Sequence, residues 1–247
     1  MKISIITVVY NSVDTIMDAV HSVRSQTYSD IEYIVVDGAS TDGTTGLLRG
    51  NVDLFDTFVS ESDKGLYDAI NKGISLSTGD IVGLMHADDL FADNEVIADI
   101  ARTIQQKKTD SIYGDLVYVR KENPDQIVRK WVAGEYKTEK FLYGWMPPHP
   151  TFYLKREKFD KIGLYDSSFK TAADYEFLLR CLYKNKITST YLPKTLVKMR
   201  IGGKSNATLL NRIQANKQDF RAWRENGIKP FWFTRYMKPA RKVIQFL

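Results

Sequence analysis

Alternation of short apolar runs with amphipathic stretches of helical length over the first 110 residues constrains the fold most strongly. Ile3 to Val9 is a near-continuous apolar run rich in β-branched residues, as in a strand buried on both faces of a parallel sheet. A helical pattern follows, with Val13, Ile16, Met17, Val20 and Val23 on one face and Ser12 at the N-cap position. Ile31 to Val36 and Asp80 to Met85 read as further strands, and Asp56 to Ser60 as a short one, with a polar turn from Asp37 to Thr44. Tyr67 to Leu76 and Asn94 to Gln106 read as helices. Repeated β-α-β units imply a twisted parallel sheet with right-handed crossovers.

After about residue 110 the rhythm changes. Strands are predicted over Ser111 to Val119 and Gln126 to Val132, a loop at Pro147-Pro148-His149-Pro150, and a helix over Ala173 to Leu182. No linker composition separates the halves. The predicted organisation is α/β: a mixed, mainly parallel sheet flanked by helices in one domain over residues 1–228, with a basic aromatic tail over 229–247.

Composition narrows the class. A chain of 247 residues, 43% hydrophobic and 26% charged, buries a proper core and is not disordered. The single cysteine, Cys181, excludes an internal disulfide and lies on a helical pattern with Phe177 and Leu178, which predicts a buried thiol rather than a nucleophile. Met1-Lys2-Ile3-Ser4 enters a strand without a signal-peptide pattern. No apolar run approaches the roughly 20 residues that span a bilayer. A cytoplasmic chain is therefore expected. The net charge of +5 permits an anionic partner without naming it.

The tail carries Lys229, Arg235, Lys238, Arg241 and Lys242 and no acid, interleaved with Phe231, Trp232, Phe233 and Tyr236. That mixture suits the headgroup region of an anionic membrane, making the chain peripheral on the membrane's inner face. It reads equally as a closing segment packed on the core or a contact in a homo-oligomer. Pro230 and Pro239 oppose one long helix.

Four polar clusters fall at or near the carboxyl ends of predicted strands: Thr7 to Asn11, Asp37, Ser60 to Asp68, and Asp88-Asp89. In a parallel sheet those ends converge on the rim where ligands bind. Adjacent Asp88 and Asp89 repel each other. Their oxygens favour a hard cation, Mg²⁺ or Mn²⁺, shared with substrate phosphates. Helix capping is the alternative role for Asp89.

Thr7-Val8-Val9-Tyr10-Asn11, Asp37-Gly38-Ala39-Ser40-Thr41-Asp42-Gly43-Thr44, Asp63-Lys64-Gly65-Leu66-Tyr67-Asp68 and Asp88-Asp89 resemble, in that order, the motifs of family 2 glycosyltransferases. These are inverting enzymes of the Rossmann-like GT-A fold that use nucleotide-sugar donors. The resemblance runs to about residue 205 and makes 1–110 the donor-binding half and 111–228 the acceptor-binding half. It implies that Thr7, Tyr10, Asn11 and Asp37 hold the donor nucleotide, Tyr10 by stacking and Asp37 by accepting an imide N–H. It puts Asp63, Lys64 and Asp68 in a donor-side loop, Asp88 near the ribose or the metal, and Asp89 on the metal.

Thr171 to Phe177 resembles the family's acidic motif before a helix, with Asp174 as general base. The family often has Glu-Asp where this chain has Ala173-Asp174. Asp174 also reads as a cap for the following helix. His149 resembles an acceptor-site feature, and Gly202 and Gly203 resemble a segment over the donor diphosphate, with Lys204 or Arg200 neutralising phosphate. Gly202-Gly203-Lys204-Ser205 is not a phosphate-binding P-loop, because residue 198 is lysine.

The implied activity is metal-dependent transfer of a sugar, from a UDP-sugar by preference, to a hydroxyl of a lipid-linked surface polysaccharide such as capsule, exopolysaccharide or O-antigen. The alternative is a basic α/β protein that holds nucleotides or RNA without turnover. The acidic rim opposes it, so no nucleic-acid partner is expected. A nucleotidyltransferase would carry a glycine-rich loop after the first strand, and Tyr10-Asn11-Ser12 is not one.

Overall fold

The computed structural model describes residues 1–202, 209–234, 236–237 and 241. The strands are β1 (Ile3–Val9), β2 (Ile31–Asp37), β3 (Thr57–Ser60), β4 (Ile81–Leu84), β5 (Leu90–Phe91), β6 (Ser111–Val119), β7 (Ile127–Trp131), β8 (Tyr153–Lys155) and β9 (Ser189–Arg200). The α-helices are α1 (Ile16–Arg24), α2 (Thr44–Arg49), α3 (Leu66–Leu76), α4 (Val96–Lys107), α5 (Glu157–Ile162), α6 (Ala173–Leu178) and α7 (Leu209–Glu225). Among the described residues the strands form one sheet in the order β3-β2-β1-β4-β8-β6-β9-β5, with β7 paired to β6.

Strands β3, β2, β1 and β4 are mutually parallel. The sheet becomes mixed at β8, which runs antiparallel to both β4 and β6. The expected mixed α/β sheet flanked by helices is present.

The period of two in β1 divides the core. Ile3, Ile5 and Val9 face α1 and α4, where Ile16, Val20, Ile97 and Ile100 are buried against them. Ile6 and Val8 face α3 and an aromatic-rich second core. Gly73 of α3 sits so close to Ile6 that a methyl group there would collide with its side chain. This close approach seats α3 on the sheet and fixes where Tyr67, in its first turn, can reach.

Several elements differ from expectation. Helix α1 begins at Ile16: Ser12 accepts from Thr15 and Ile16 through its carbonyl rather than capping with its hydroxyl. Val13 is exposed outside the helix. Helix α2 follows the stretch read as a polar turn. With six residues and Leu48 as its large buried side chain, it offers too little periodicity to detect.

Strand β9, twelve residues long, was hidden by Pro193. Its register slips between Tyr113↔Tyr191 and Asp115↔Thr195, and the irregularity takes up a residue without a backbone N–H. The helix predicted over Ala173 to Leu182 is α6 followed by a π-helical turn, Leu179–Lys184. Cys181 is buried, which pushes its thiol pKa up. In the tail, Phe231 and Phe233 stack on one another and meet Tyr143, while Trp232 is 81% exposed. No helix among the described residues is long and apolar enough to cross a membrane.

Candidate active site

Registers Val9↔Asp37, Asp37↔Ser60 and Ile6↔Leu84 bring the carboxyl ends of β1 to β4 to one rim. Asp37 closes β2 there, but its carboxylate is fully buried and saturated. It accepts from the Ser40 hydroxyl at 2.5 Å, Thr45 at 2.6 Å, Ser60 at 2.7 Å and the Ser40 backbone N–H. In this arrangement the side chain ties β2 to the following turn and to β3.

Thr7 is also buried. Its side chain lies inside the sheet, fully buried, with Oγ1 3.0 Å from the Tyr33 hydroxyl. Residues beside it do reach the surface. Tyr10 is 53% exposed. Asn11 adopts a left-handed φ of 50° and staples the β1–α1 loop to the next turn: its N–H donates to Ser40 Oγ and its Oδ1 accepts from Thr41.

The carboxylate beside Tyr10 is Asp63. A side chain at Gly38 would collide with Asp63 Oδ2 and touch the Tyr10 ring. Asp63 Oδ1 accepts from the Gly65 N–H at 2.7 Å, and Asp68 accepts from the Lys64 N–H at 3.0 Å. Asp68 thus shapes the loop, while the Lys64 residue is exposed on it.

Asp88 and Asp89 follow β4, but their environments differ. Asp89 is fully buried: Oδ1 accepts from the Arg200 N–H at 3.2 Å and Oδ2 has no hydrogen-bond partner. Burial, then the neighbouring Asp88, raises its pKa well above the usual carboxylate range. A neutral acid suits that environment. Asp89 Oδ2 is thus a buried oxygen without a partner next to Asp88.

Asp88 is partly exposed. Burial raises its pKa, and Arg200 and Lys121 pull it back down. Arg200 is itself 5% exposed; it pairs with Asp18 at 2.5 Å and donates to the Asp88 carbonyl at 3.2 Å. These contacts brace the loop. No group of three metal-binding side chains occurs among the described residues. A single accessible carboxylate still fits a hard dication that takes its other oxygens from a diphosphate and water. Gly202 forms an exposed left-handed turn at φ +112°. Gly203 and Lys204 lie outside the described residues.

The second carboxylate is Asp174, in the first turn of α6. The cap role fails: the N-cap is Ala172 and no side-chain cap bond forms. Instead Asp174 Oδ1 accepts from the Tyr67 hydroxyl at 3.3 Å, and Oδ2 lies 3.3 Å from His149 Nδ1. His149 Nε2 in turn lies 3.1 Å from Nε2 of His86, two residues before Asp88. Burial first, then His149, holds His86 down to about 3. Burial and the Asp174 charge push the Tyr67 hydroxyl up. Glu176 does not replace the missing acid, because Arg180 and Asn226 occupy it in the interior.

Sequence reasoning missed Tyr67, His86, Gly38 and the bracing role of Arg200. Tyr67 and His86 stood inside motifs already singled out. Their contacts join residues 107 and 63 positions apart, for which sequence spacing gives no signal.

Residues 4–172 match the model of glycosyl transferase family 2. A Mycobacterium tuberculosis protein described as an uncharacterized glycosyltransferase is 33% identical over 186 residues, which cover 72% of this chain and 68% of that protein. A PGL/p-HBAD biosynthesis glycosyltransferase of Mycobacterium bovis is 28% identical over 190 residues, 75% of this chain and 72% of its own length.

Among solved structures, Staphylococcus aureus TarS 1-349 in complex with UDP-GlcNAc superposes with a TM-score of 0.71 at 21% identity, covering 92% of this chain and 65% of that one. The Pyrobaculum calidifontis mannosyltransferase PcManGT, in complex with GDP-Man and Mn²⁺, gives 0.67 at 18% identity, covering 98% and 73%. At these identities the superpositions speak to the fold. The chain spans less than two thirds of the TarS fragment.

Proposed function

The chain belongs to glycosyl transferase family 2, and we propose that it moves a sugar from a nucleotide diphosphate donor to an acceptor hydroxyl with inversion. The donor is a UDP-sugar by preference, and the acceptor is the hydroxyl of a lipid-linked saccharide. The observation that carries this reading is the contact path from the Asp88 loop through His86 and His149 to Asp174. It sets a partly exposed carboxylate from the second half beside the rim formed by the first.

Asp174 is the general base. Its carboxylate takes the proton of the acceptor hydroxyl as that oxygen bonds to the anomeric carbon, while the bond to the nucleoside diphosphate breaks on the opposite face. The Tyr67 hydroxyl donates to Oδ1 and His149 Nδ1 lies 3.3 Å from Oδ2, so lone pairs remain for the proton. Tyr10 offers a stacking face, and Asp63 an acceptor for base N–H groups. Asp88 is the ligand for a divalent cation, Mn²⁺ or Mg²⁺, which supplies Lewis-acid charge neutralisation to the leaving diphosphate when bound.

The test is a coupled assay for UDP release from UDP-sugars with Mn²⁺ or Mg²⁺. Metal-dependent release that disappears in Asp174→Asn supports the reading. Salt-sensitive RNA binding without turnover would replace it with the binding-module alternative. The tail over 229–247 is proposed to touch the membrane that holds the acceptor, supported by exposed Trp232 among basic residues. Sedimentation with anionic liposomes checks this, since equal pelleting of Trp232→Ala and the parent chain removes the role of that residue.

A further inference from the structure

The path to Asp174 has a direction that its hydrogen-bond chemistry fixes. The two Nε2 atoms of His86 and His149 are 3.1 Å apart, so one carries a proton and the other a lone pair. His149 Nδ1 faces a carboxylate oxygen at 3.3 Å, a position that requires an N–H. Two proton arrangements satisfy these contacts. Either His149 is neutral with its proton on Nδ1 and accepts from His86 at Nε2, or His149 carries both protons and His86 accepts. In both, the His149 Nδ1 that lies 3.3 Å from Asp174 carries a proton. In the first arrangement the protein selects the tautomer that a free histidine disfavours.

We propose that His149 and His86 are positioning residues for Asp174, forming a two-ring strut that fixes the orientation of the base carboxylate and ties it to the loop bearing Asp88. The inference rests on the reading of Asp174 as general base. His149 comes from the short helical turn His149–Thr151. His86 comes from the segment directly after β4, whose Asp88 carbonyl Arg200 braces. The strut therefore spans the two halves: its far end stands on the donor-side loop and its near end on the acceptor-side carboxylate. Tyr67, from α3, holds the other carboxylate oxygen. With both oxygens engaged from different elements, rotation of the carboxyl about its χ2 bond is restrained. A displacement of about 1 Å in a catalytic group is enough to cost on the order of 100-fold in rate.

The first measurement needs no substrate. The chain contains three histidines, so the ring nitrogens can be assigned by long-range ¹H–¹⁵N correlation on the full-length protein with single His→Gln variants. His149 is expected to show a protonated Nδ1. Asp174→Asn is expected to perturb that nitrogen, and His86→Ala to perturb the same ring at Nε2. A His149 with bare Nδ1 and protonated Nε2 would overturn the proposal whatever the enzyme's activity.

The second measurement is steady-state UDP release with Mn²⁺, using whichever of UDP-glucose, UDP-galactose or UDP-GlcNAc the parent turns over, with water as acceptor if no saccharide serves. His149→Ala is expected to lower kcat about 10- to 100-fold with donor KM within about 2-fold. His149→Asn, whose amide N–H stands where Nδ1 stood, is expected to recover most of it. His86→Gln should likewise exceed His86→Ala. In the Asp174→Asn background the His149 substitution should have no further effect. Unchanged kcat in a folded His149→Ala, or losses that simply add to those of Asp174→Asn, would overturn the strut. Full activity in Asp174→Asn would instead overturn the general base, a separate failure.

Discussion

Asp63 occupies the space beside Gly38 in which a side chain at that position would begin, and that side chain would also touch the ring of Tyr10. The missing side chain at residue 38 and the carboxylate at residue 63 are thus one feature of the proposed donor site. Gly38 is not held at positive φ among the described residues, so alanine suits its backbone and the penalty falls on Asp63 instead. Gly38→Ala is expected to weaken nucleoside diphosphate binding about 10-fold with little loss of melting temperature. Asp63→Asn should blunt the preference between bases, because an amide presents both a donor and an acceptor. A thermal-shift series over UDP, GDP, ADP and CDP with Mn²⁺ reads both effects.

The two adjacent acids should respond differently to the same substitution. Asp88 has exposed surface and cations nearby, so Asp88→Asn is expected to weaken Mn²⁺-dependent nucleotide binding by at least about 10-fold. Asp89 is buried with its pKa raised, and asparagine is close in shape to the neutral acid. Asp89→Asn should leave metal-dependent binding within about 3-fold. Asp89→Ala should destabilise the chain by about 1–3 kcal/mol, through the Arg200 N–H left unpaired in the interior. Isothermal titration of the two asparagine variants with UDP and Mn²⁺ checks the contrast. Equal losses would return Asp89 to the metal.

What the sequence made legible follows the range of the forces involved. The apolar runs of β1, β2 and β4 are local signals, and all three strands lie where those runs predicted. Helix α2 and the broken strand β9 were not legible, because one is too short to show a period and the other is maintained by pairing with β6 across a bulge. The motifs predicted loops that the fold gathers at one rim, but not the orientation of each side chain. Asp37 and Asp89 stood out as acids at strand ends, yet the fold turns both inward: one onto three hydroxyls and a backbone N–H, the other onto the Arg200 backbone. Motif residues that support a site and motif residues that line it share the same spacing, and burial alone separates them.

Glu32 gives the fold an acid-sensitive joint. Its residue is 7% exposed in β2 and accepts from Ser4 at 2.5 Å and from the Thr78 N–H at 2.7 Å, with Lys2 nearby at 3.2 Å. Burial alone would raise its pKa, but these donors bring it down to about 2 from the ordinary 4.5. A carboxyl depressed in the folded state binds its proton more readily when unfolded. The stabilisation is therefore complete above pH 4.5 and disappears as pH falls through about 2. Glu32→Gln is expected to cost about 2 kcal/mol at neutral pH and to flatten the loss of stability between those limits. Urea denaturation of parent and variant at pH 7, 4 and 3 measures it, and parallel curves would remove Glu32 as the source.

Asp174 and Tyr67 let the proposed base be tested apart from its contact. A general base contributes about 10²- to 10⁴-fold, so Asp174→Asn should abolish most UDP release while nucleotide binding stays within about 2-fold, as the proposed acceptor-side role requires. Tyr67→Phe removes only the hydroxyl that reaches Asp174 Oδ1 at 3.3 Å. The ring still stacks on Tyr165 at 5.9 Å, so folding should be preserved. Without that bond one carboxylate oxygen is released, while His149 still restrains the other. The expected fall in kcat is correspondingly smaller, about 3- to 10-fold, with donor KM unchanged. Rate measurements on the two single variants and the double variant decide the relation. Tyr67→Phe should add nothing in the Asp174→Asn background, and an additive loss would show that Tyr67 acts elsewhere.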